Sequence, residues 1–311
     1  MKRYTLGIDM GGTIIKIGIV QDGAVIASGT IQSDSEKGLG RKLPEIEVTT
    51  KKMLQDQHLS ISDIEGVGIS IPGIVDATRG VVLSTNAKFD DAPELDLKAW
   101  SQRCFGGKFY IDNDARMAVV GEWQYGAAKG CDNLVMVTIG TGIGCGVIIQ
   151  GKVLTGVHFQ AGCLGGHIAL DYKGRRCSCG SIGCVEAMSA SFFLDDIVRE
   201  NQQVDKDFYN QYKPFDFKKL FDLYYAGNMN ARIICCDCMD MWSAGIVNLI
   251  HAYDPEMIVL GGGVTKSADV ILPYVQERIN SLAWTPWGKV KIVESQLKDH
   301  AGIVGAAYSV S

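Results

Sequence analysis

The 311 residues carry a formal net charge of −5, and with 47% hydrophobic and 21% charged side chains they suit folded domains with real cores. That acidic balance supplies no broad basic surface for gripping nucleic acid through its phosphates. No run approaches the roughly 20 uninterrupted apolar residues that cross a bilayer, and the first residues lack the apolar core of a signal peptide. The expectation is a cytoplasmic protein whose partners are small molecules or itself, with no membrane and no nucleic acid. In a reducing compartment the ten cysteines read as metal ligands or buried thiols rather than disulfides.

In chain order, Leu6 to Val20 reads as an apolar strand, a Gly11-Gly12-Thr13 turn and a second apolar strand. Gln21-Asp22-Gly23 then turns the chain into a third, Ala24 to Ala27. Lys51 to His58 reads as a helix and Gly66 to Ile71 as a buried strand, while Phe109 to Asp112 is a strand running into a helix start at Asn113-Asp114. Val135 to Ile149 repeats the opening pattern around Gly140-Thr141-Gly142, and after Gln150-Gly151-Lys152 come the strand-like Val153 and Leu154. Each half of the chain thus opens on a β-meander. Ala187 to Gln202 and Ala231 to Ala252 read as long helices, and Met257 to Leu260 as a buried strand ending at Gly261-Gly262-Gly263. Ala301 to Tyr308 has helical spacing and is expected to pack back on the first domain. The repeat places a domain boundary near residue 116. The expected division is 1–116, completed by about 295–311, and 117–294, which carries the cysteine-rich segment.

A backbone that approaches a polyphosphate needs residues without bulky side chains, and both glycine turns meet that need while offering N–H groups and a hydroxyl. Gly11, Gly12 and Thr13 with Gly140, Thr141 and Gly142 would grip one ATP from two sides. Asp9, at the end of the first strand, is placed to hold Mg²⁺ directly or through water, and Lys16 would add positive charge near the phosphates. The pattern is not a P-loop, since no Gly-x4-Gly-Lys-Ser/Thr occurs, and not a dinucleotide fingerprint, since the glycines lead into a strand. His167, Cys177, Cys179 and Cys184 form a His-x9-Cys-x-Cys-x4-Cys array with turn-forming Gly180 and Gly183. One imidazole and three thiolates make a closed tetrahedral set for structural Zn²⁺, with no open position for catalysis. Cys235, Cys236 and Cys238 lie in an apolar helix without such spacing and read as buried thiols.

The duplicated meander resembles the actin-like ATPase fold, an α/β, ribonuclease H-like architecture of two domains with a cleft between them. Within it the sequence resembles the ROK family of sugar kinases and repressors. The marks are Gly11-Gly12-Thr13, Asn113-Asp114, Gly166-His167 and Cys177-Ser-Cys-Gly-Ser-Ile-Gly-Cys-Val-Glu186. The resemblance covers essentially the whole chain. It implies ATP-dependent phosphorylation of a hydroxyl of a hexose or amino sugar, with Asp114 as general base and Asp112 as its local competitor. Asn113, Asn86, Gly73, Glu186 and the second ring nitrogen of His167 would contact the sugar, and Gly262 and Gly263 the adenosine. It also implies a homo-oligomer, dimer or tetramer.

Two departures stand out. Where the family reads Ala-Gly-Glu-x-Gly-His, this chain has Ala161-Gly162-Cys163-Leu164-Gly165-Gly166-His167, one residue longer and without the glutamate. Arg116 stands where the kinases often carry a small amide. The alternative within the family is a sugar-sensing repressor, whose helix-turn-helix would precede the first glycine turn; only eight residues precede Asp9. A non-catalytic sugar binder is the other alternative.

Overall fold

The computed structural model describes residues 4–86 and 88–310, so Met1 to Arg3, Ala87 and Ser311 lie outside the described residues. The chain forms two compact units. One comprises Met1–Asp132, Lys152–Cys163 and Gln296–Ser311, and the other Asn133–Gly151 and Leu164–Ser295. The expected break near 116 therefore moves to Asp132. Position 116 falls in the first turn of a helix that is bound to the C-terminal helix, so the two cannot be assigned to different units.

In the first unit, strands β1 (Tyr4–Met10), β2 (Ile14–Gln21) and β3 (Ala24–Gln32) form the expected antiparallel meander. Helix α1 (Leu43–Asp56), strand β4 (Ile64–Ile71), the hairpin β5 (Ile74–Asp76) and β6 (Val81–Ser84), helix α2 (Leu97–Cys104), strand β7 (Lys108–Asn113) and helix α3 (Asp114–Tyr125) follow. The sheet order is β3-β2-β1-β4-β7, with β1, β4 and β7 parallel. α1 starts well before Lys51 because Pro44 sits in its first turn, where a missing N–H costs nothing.

Period-two alternation divides β1 between two faces. Leu6, Ile8 and Met10 enter a fully buried core with Ile15, Ile17, Ile19, Val67 and Ile69, which Ile46 and Leu54 of α1 join. Gly7 and Asp9 point the other way, toward the C-terminal helix Ala301–Tyr308. That helix lies so close that a Cβ on Gly68 would sit 1.9 Å from the Ala306 carbonyl oxygen, and one on Gly305 only 1.8 Å from the Met117 carbonyl oxygen of α3. The expected return of the tail to the first unit is thus made by backbone-to-backbone approach.

The second unit repeats the topology. Strands β8 (Leu134–Ile139) and β9 (Ile143–Ile149) form an antiparallel hairpin, and Met257–Gly261 and Lys291–Glu294 extend it in parallel from β8. The strand expected at Val153 and Leu154 is only Lys152–Val153, and it falls in the stretch that belongs to the first unit. The helix expected over Ala231 to Ala252 runs Met229–Tyr253. Its length and hydropathy would suffice to cross a membrane, but most of its apolar stretch is buried within the unit, and Asp237 and Asp240 interrupt it. The helix expected over Ala187 to Gln202 is broken into Val185–Ser189, a short turn at Ser191–Phe193 and Leu194–Glu200. Ala190 is extended, which frees the N–H groups of Ser191 and Phe192 to donate to the carbonyls of Gly140 and Thr141 at 3.1 and 3.0 Å. The second glycine turn is anchored at the cost of helix continuity.

Candidate functional site

In the first unit the expected residues gather at the carboxyl ends of the parallel strands, the usual binding edge of an α/β sheet. Asp9 of β1 pairs in register with Lys16 of β2 and with Ser70 of β4, and Ser70 in turn with Asp112 of β7. The Ser70 hydroxyl donates to Asp9 Oδ1 at 2.7 Å. Burial raises Asp9 to about 6 in spite of that bond and of the nearby Lys16, and the like charge of Asp114 pushes in the same direction. Lys16 itself is tied to Asp299, through both its carboxylate and its carbonyl at 3.2 Å.

Three chain-adjacent side chains divide the work at the β7–α3 junction. Asn113 caps α3, its Oδ1 accepting from the N–H groups of Ala115 and Arg116, while its Nδ2 donates to the Gly73 carbonyl at 3.0 Å. Asp114 accepts from Ala115 N at 2.8 Å and Asn113 Nδ2 at 3.1 Å. Both bonds fall on Oδ1. Burial pushes the Asp114 carboxyl up, and Lys88 draws it back. Asp112, the competitor for the role of base, is 1% exposed and locked to Arg116 at 3.1 Å. Burial pushes the Asp112 carboxyl up and Arg116 draws it back, and its bond to that guanidinium and its burial keep it from meeting a ligand.

Gly11 and Gly12 are half-buried and Thr13 is exposed at the β1–β2 turn. A Cβ on Gly12 would meet the Lys88 stem at 2.8 Å and its Nζ at 3.2 Å, so Lys88 lies between this turn and Asp114. Sequence reasoning passed over Lys88 because nothing in its neighbourhood marks it; only the fold brings it to the turn. Gly73 has φ +124°, and a Cβ there would strike the Ser84 carbonyl at 2.4 Å, so the glycine is demanded by the β5–β6 hairpin. Asn86 is exposed beyond that hairpin.

In the second unit Glu186 links the glycine turn to the cysteine-rich segment. Its Oε2 accepts from Ile143 N at 2.9 Å and leaves no room for a side chain at Gly142. Its Oε1 lies 3.4 Å from Ser178 Oγ and 3.9 Å from His167 Nδ1. Gly262, with φ +89°, ends strand Met257–Gly261 where a Cβ would meet the Ile139 carbonyl at 2.3 Å, and nothing crowds Gly263. These turns present open backbone at the carboxyl ends of β8 and of its parallel neighbour.

The ligand atoms of His167, Cys177, Cys179 and Cys184 all lie within 4.8 Å of one another. A tetrahedral Zn²⁺ with bonds of about 2.3 Å to sulfur and about 2.0 Å to nitrogen sets ligand atoms about 3.5–3.8 Å apart. The Cys179–Cys184 Sγ distance is 3.8 Å and His167 Nδ1 is 3.6 Å from Cys177 Sγ, so the donor set fits such an ion in both chemistry and spacing. Burial and the neighbouring thiol Cys177 raise Cys184 to about 12, a cost that a bound cation would reverse. With Nδ1 facing the thiols, Nε2 of His167 is the nitrogen left for another partner. Cys235 and Cys238 are fully buried and Cys236 partly so, as expected of thiols in an apolar helix.

The ROK family profile matches residues 5–311. The chain belongs to the ROK family. It is 31% identical to a glucokinase of Thermotoga maritima over 98% of this chain and 96% of that one. It is also 28% identical to the xylose repressor of Bacillus subtilis, over 97% of this chain and 75% of the repressor. Among solved structures, a ROK family glucokinase from Streptomyces griseus in complex with glucose and AMPPNP superposes with a TM-score of 0.84 at 25% identity, covering 99% of each chain. A ROK hexokinase from Thermus thermophilus superposes with a TM-score of 0.77 at 27% identity, covering 99% of this chain and 97% of that one. The two-domain α/β architecture of this ROK protein is therefore the actin-like one, and its relatives include both sugar kinases and repressors.

Proposed function

We propose that this ROK protein transfers the γ-phosphoryl group of ATP to a hydroxyl of a hexose or amino sugar. The observation that carries this reading is the division of labour among three aspartates at one sheet edge. Asp112 is neutralised by Arg116, Asp9 is held by Ser70, and Asp114 would offer Oδ2 to the substrate. Asp114 would accept the hydroxyl proton as the sugar oxygen attacks phosphorus, a role worth about 10²–10⁴ in rate. Asn113 fixes the orientation of Asp114 and, with Asn86, Gly73, Glu186 and His167, would line the sugar site.

The backbone of Gly11, Gly12 and Thr13, with Gly140, Thr141 and Gly142, would bind phosphate oxygens, with Lys16 adding charge, and Gly262 and Gly263 would border the adenosine. Asp9 would hold Mg²⁺ directly or through water, and that ion would offset charge on the phosphates. His167, Cys177, Cys179 and Cys184 would hold Zn²⁺, which orders the segment leading to Glu186 and takes no part in the transfer. Three thiolates and an ATP substrate would suit a cytoplasmic protein, and we expect a dimer or tetramer.

The glucokinase in its AMPPNP and glucose complex supports both substrates. The xylose repressors support a second reading, a sugar-binding sensor without turnover. A coupled assay of ADP release, run over aldoses, ketoses, N-acetylhexosamines and glycosides, separates the two. Kinase activity requires that at least one sugar raise ADP release well above the sugar-free rate; uniform absence of stimulation refutes it.

A further inference from the structure

Arg116 is fully buried, an expensive place for a charge unless its hydrogen bonds are met. Its charge is balanced by Asp112, four residues earlier near the end of β7. Its other terminal nitrogen serves a different segment, while Nε has no hydrogen-bond partner among the described residues. That terminal nitrogen donates to the carbonyls of Phe159 at 2.9 Å and Ala161 at 2.8 Å, and lies 3.4 Å from that of Thr155. The same stretch is closed on itself by Ala161 N donating to Thr155 O at 3.1 Å. Gly156, Phe159 and Gly162 all have positive φ, so the chain curls with its carbonyls turned inward onto the guanidinium. For Phe159, a bulky residue with φ +57°, that conformation is unfavourable and persists only where the surroundings hold it. Cys163, in the stretch that lacks the family's glutamate, is buried and points its Sγ at the Gln160 carbonyl, 3.4 Å away.

We infer that Arg116 is a positioning residue: it serves as the core of the 155–161 loop, fixing that loop to the helix that begins with Asp114 and so setting the affinity for the sugar. The role rests on the sugar-kinase reading of Asp114. A small amide at this position could not span to three carbonyls, so the arginine and the glutamate-free loop make one structural unit. The loop leaves Val157 and His158 exposed at its tip, and its placement depends on a side chain two residues from the proposed base.

The test compares wild type with Arg116→Lys, which keeps a positive charge but has a single nitrogen in place of the two that reach Asp112 and the loop carbonyls at once, and with Arg116→Gln. Hydrogen exchange of the 155–161 amides and steady-state kinetics with D-glucose and N-acetyl-D-mannosamine are both measured. In Arg116→Lys, exchange of 155–161 should rise while helix α3 stays protected, and the sugar KM should rise about tenfold with the ATP KM within about twofold. Arg116→Gln should show the larger effect, and if it does not fold, the lysine variant decides alone. Unchanged exchange in the loop, an unchanged sugar KM, or equal rises in both KM values overturn the assignment. Wild type inactive on every sugar refutes the kinase reading and this role with it; active wild type with an indifferent Arg116→Lys refutes this role alone.

Discussion

Asp114 and Asp9 sit at the same sheet edge but answer to different tests. Asp114→Asn keeps the hydrogen bond from Ala115 and the cap made by Asn113, and removes only the capacity to take a proton. The turnover number should fall by about 10²–10⁴ while the ATP dissociation constant stays within about twofold. A loss of ATP affinity in proportion to the loss of rate would show that the side chain serves binding. Asp9 is a matter of stability. Its folded-state pKa of about 6 lies above the ordinary 3.8, so the folded protein retains a proton that the unfolded chain has already lost between those values. Stability from this group is therefore present below about pH 4 and is lost as pH rises through 6. Asp9→Asn, free of nucleotide and divalent metal, should melt at the same temperature as wild type near pH 4 and higher above pH 6. The gain is at most about 3 kcal/mol for a shift of roughly two units. A gain that is independent of pH would assign it to packing instead.

Among the elements, the C-terminal helix carries the most exacting fit. Gly68→Ala would drive a methyl group into the Ala306 carbonyl, and Gly305→Ala into that of Met117, in both cases backbone that cannot step aside. Each should cost about 3 kcal/mol or more, read as a fall in the denaturation midpoint at unchanged slope. A cost under about 1 kcal/mol would mean that the helix sits farther from the sheet. The cysteine-rich segment is held in a different way. Its loop is built on turns at Gly174, Gly180 and Gly183 with little apolar surface, so one zinc per chain is expected, and its removal by chelator should lower the melting temperature and free Cys179 and Cys184 to react with thiol reagents. Protein purified without chelator and free of stoichiometric zinc would contradict this.

These elements also show how far the sequence could be read. The strands that open both meanders, the long helix Met229–Tyr253 and the gathering of His167 with Cys177, Cys179 and Cys184 were legible, because apolar periodicity and residue spacing are local properties. The break at Ala190 was not, since it answers to hydrogen bonds that Ser191 and Phe192 donate to the carbonyls of Gly140 and Thr141, some fifty residues away. Lys88 and the Arg116 loop were hidden for the same reason: each takes its meaning from residues that only the folded chain brings near.

At the scale of the molecule, one topology is used twice. A meander followed by parallel strands places a glycine turn at the carboxyl edge of each sheet, and the two units then diverge. The first adds the Asn113-Asp114 junction and the second the cysteine-rich segment. That arrangement is shared with glucokinases and with repressors of the ROK family, so the fold alone does not separate turnover from sensing. The most direct measurement is phosphorus NMR of the purified protein with ATP, Mg²⁺ and a sugar that raises ADP release, in wild type and Asp114→Asn. The account predicts a sugar phosphate ester formed in step with ADP by wild type and essentially none by the variant. Sugar binding with no ester formed, or ester formation that survives Asp114→Asn undiminished, would contradict it.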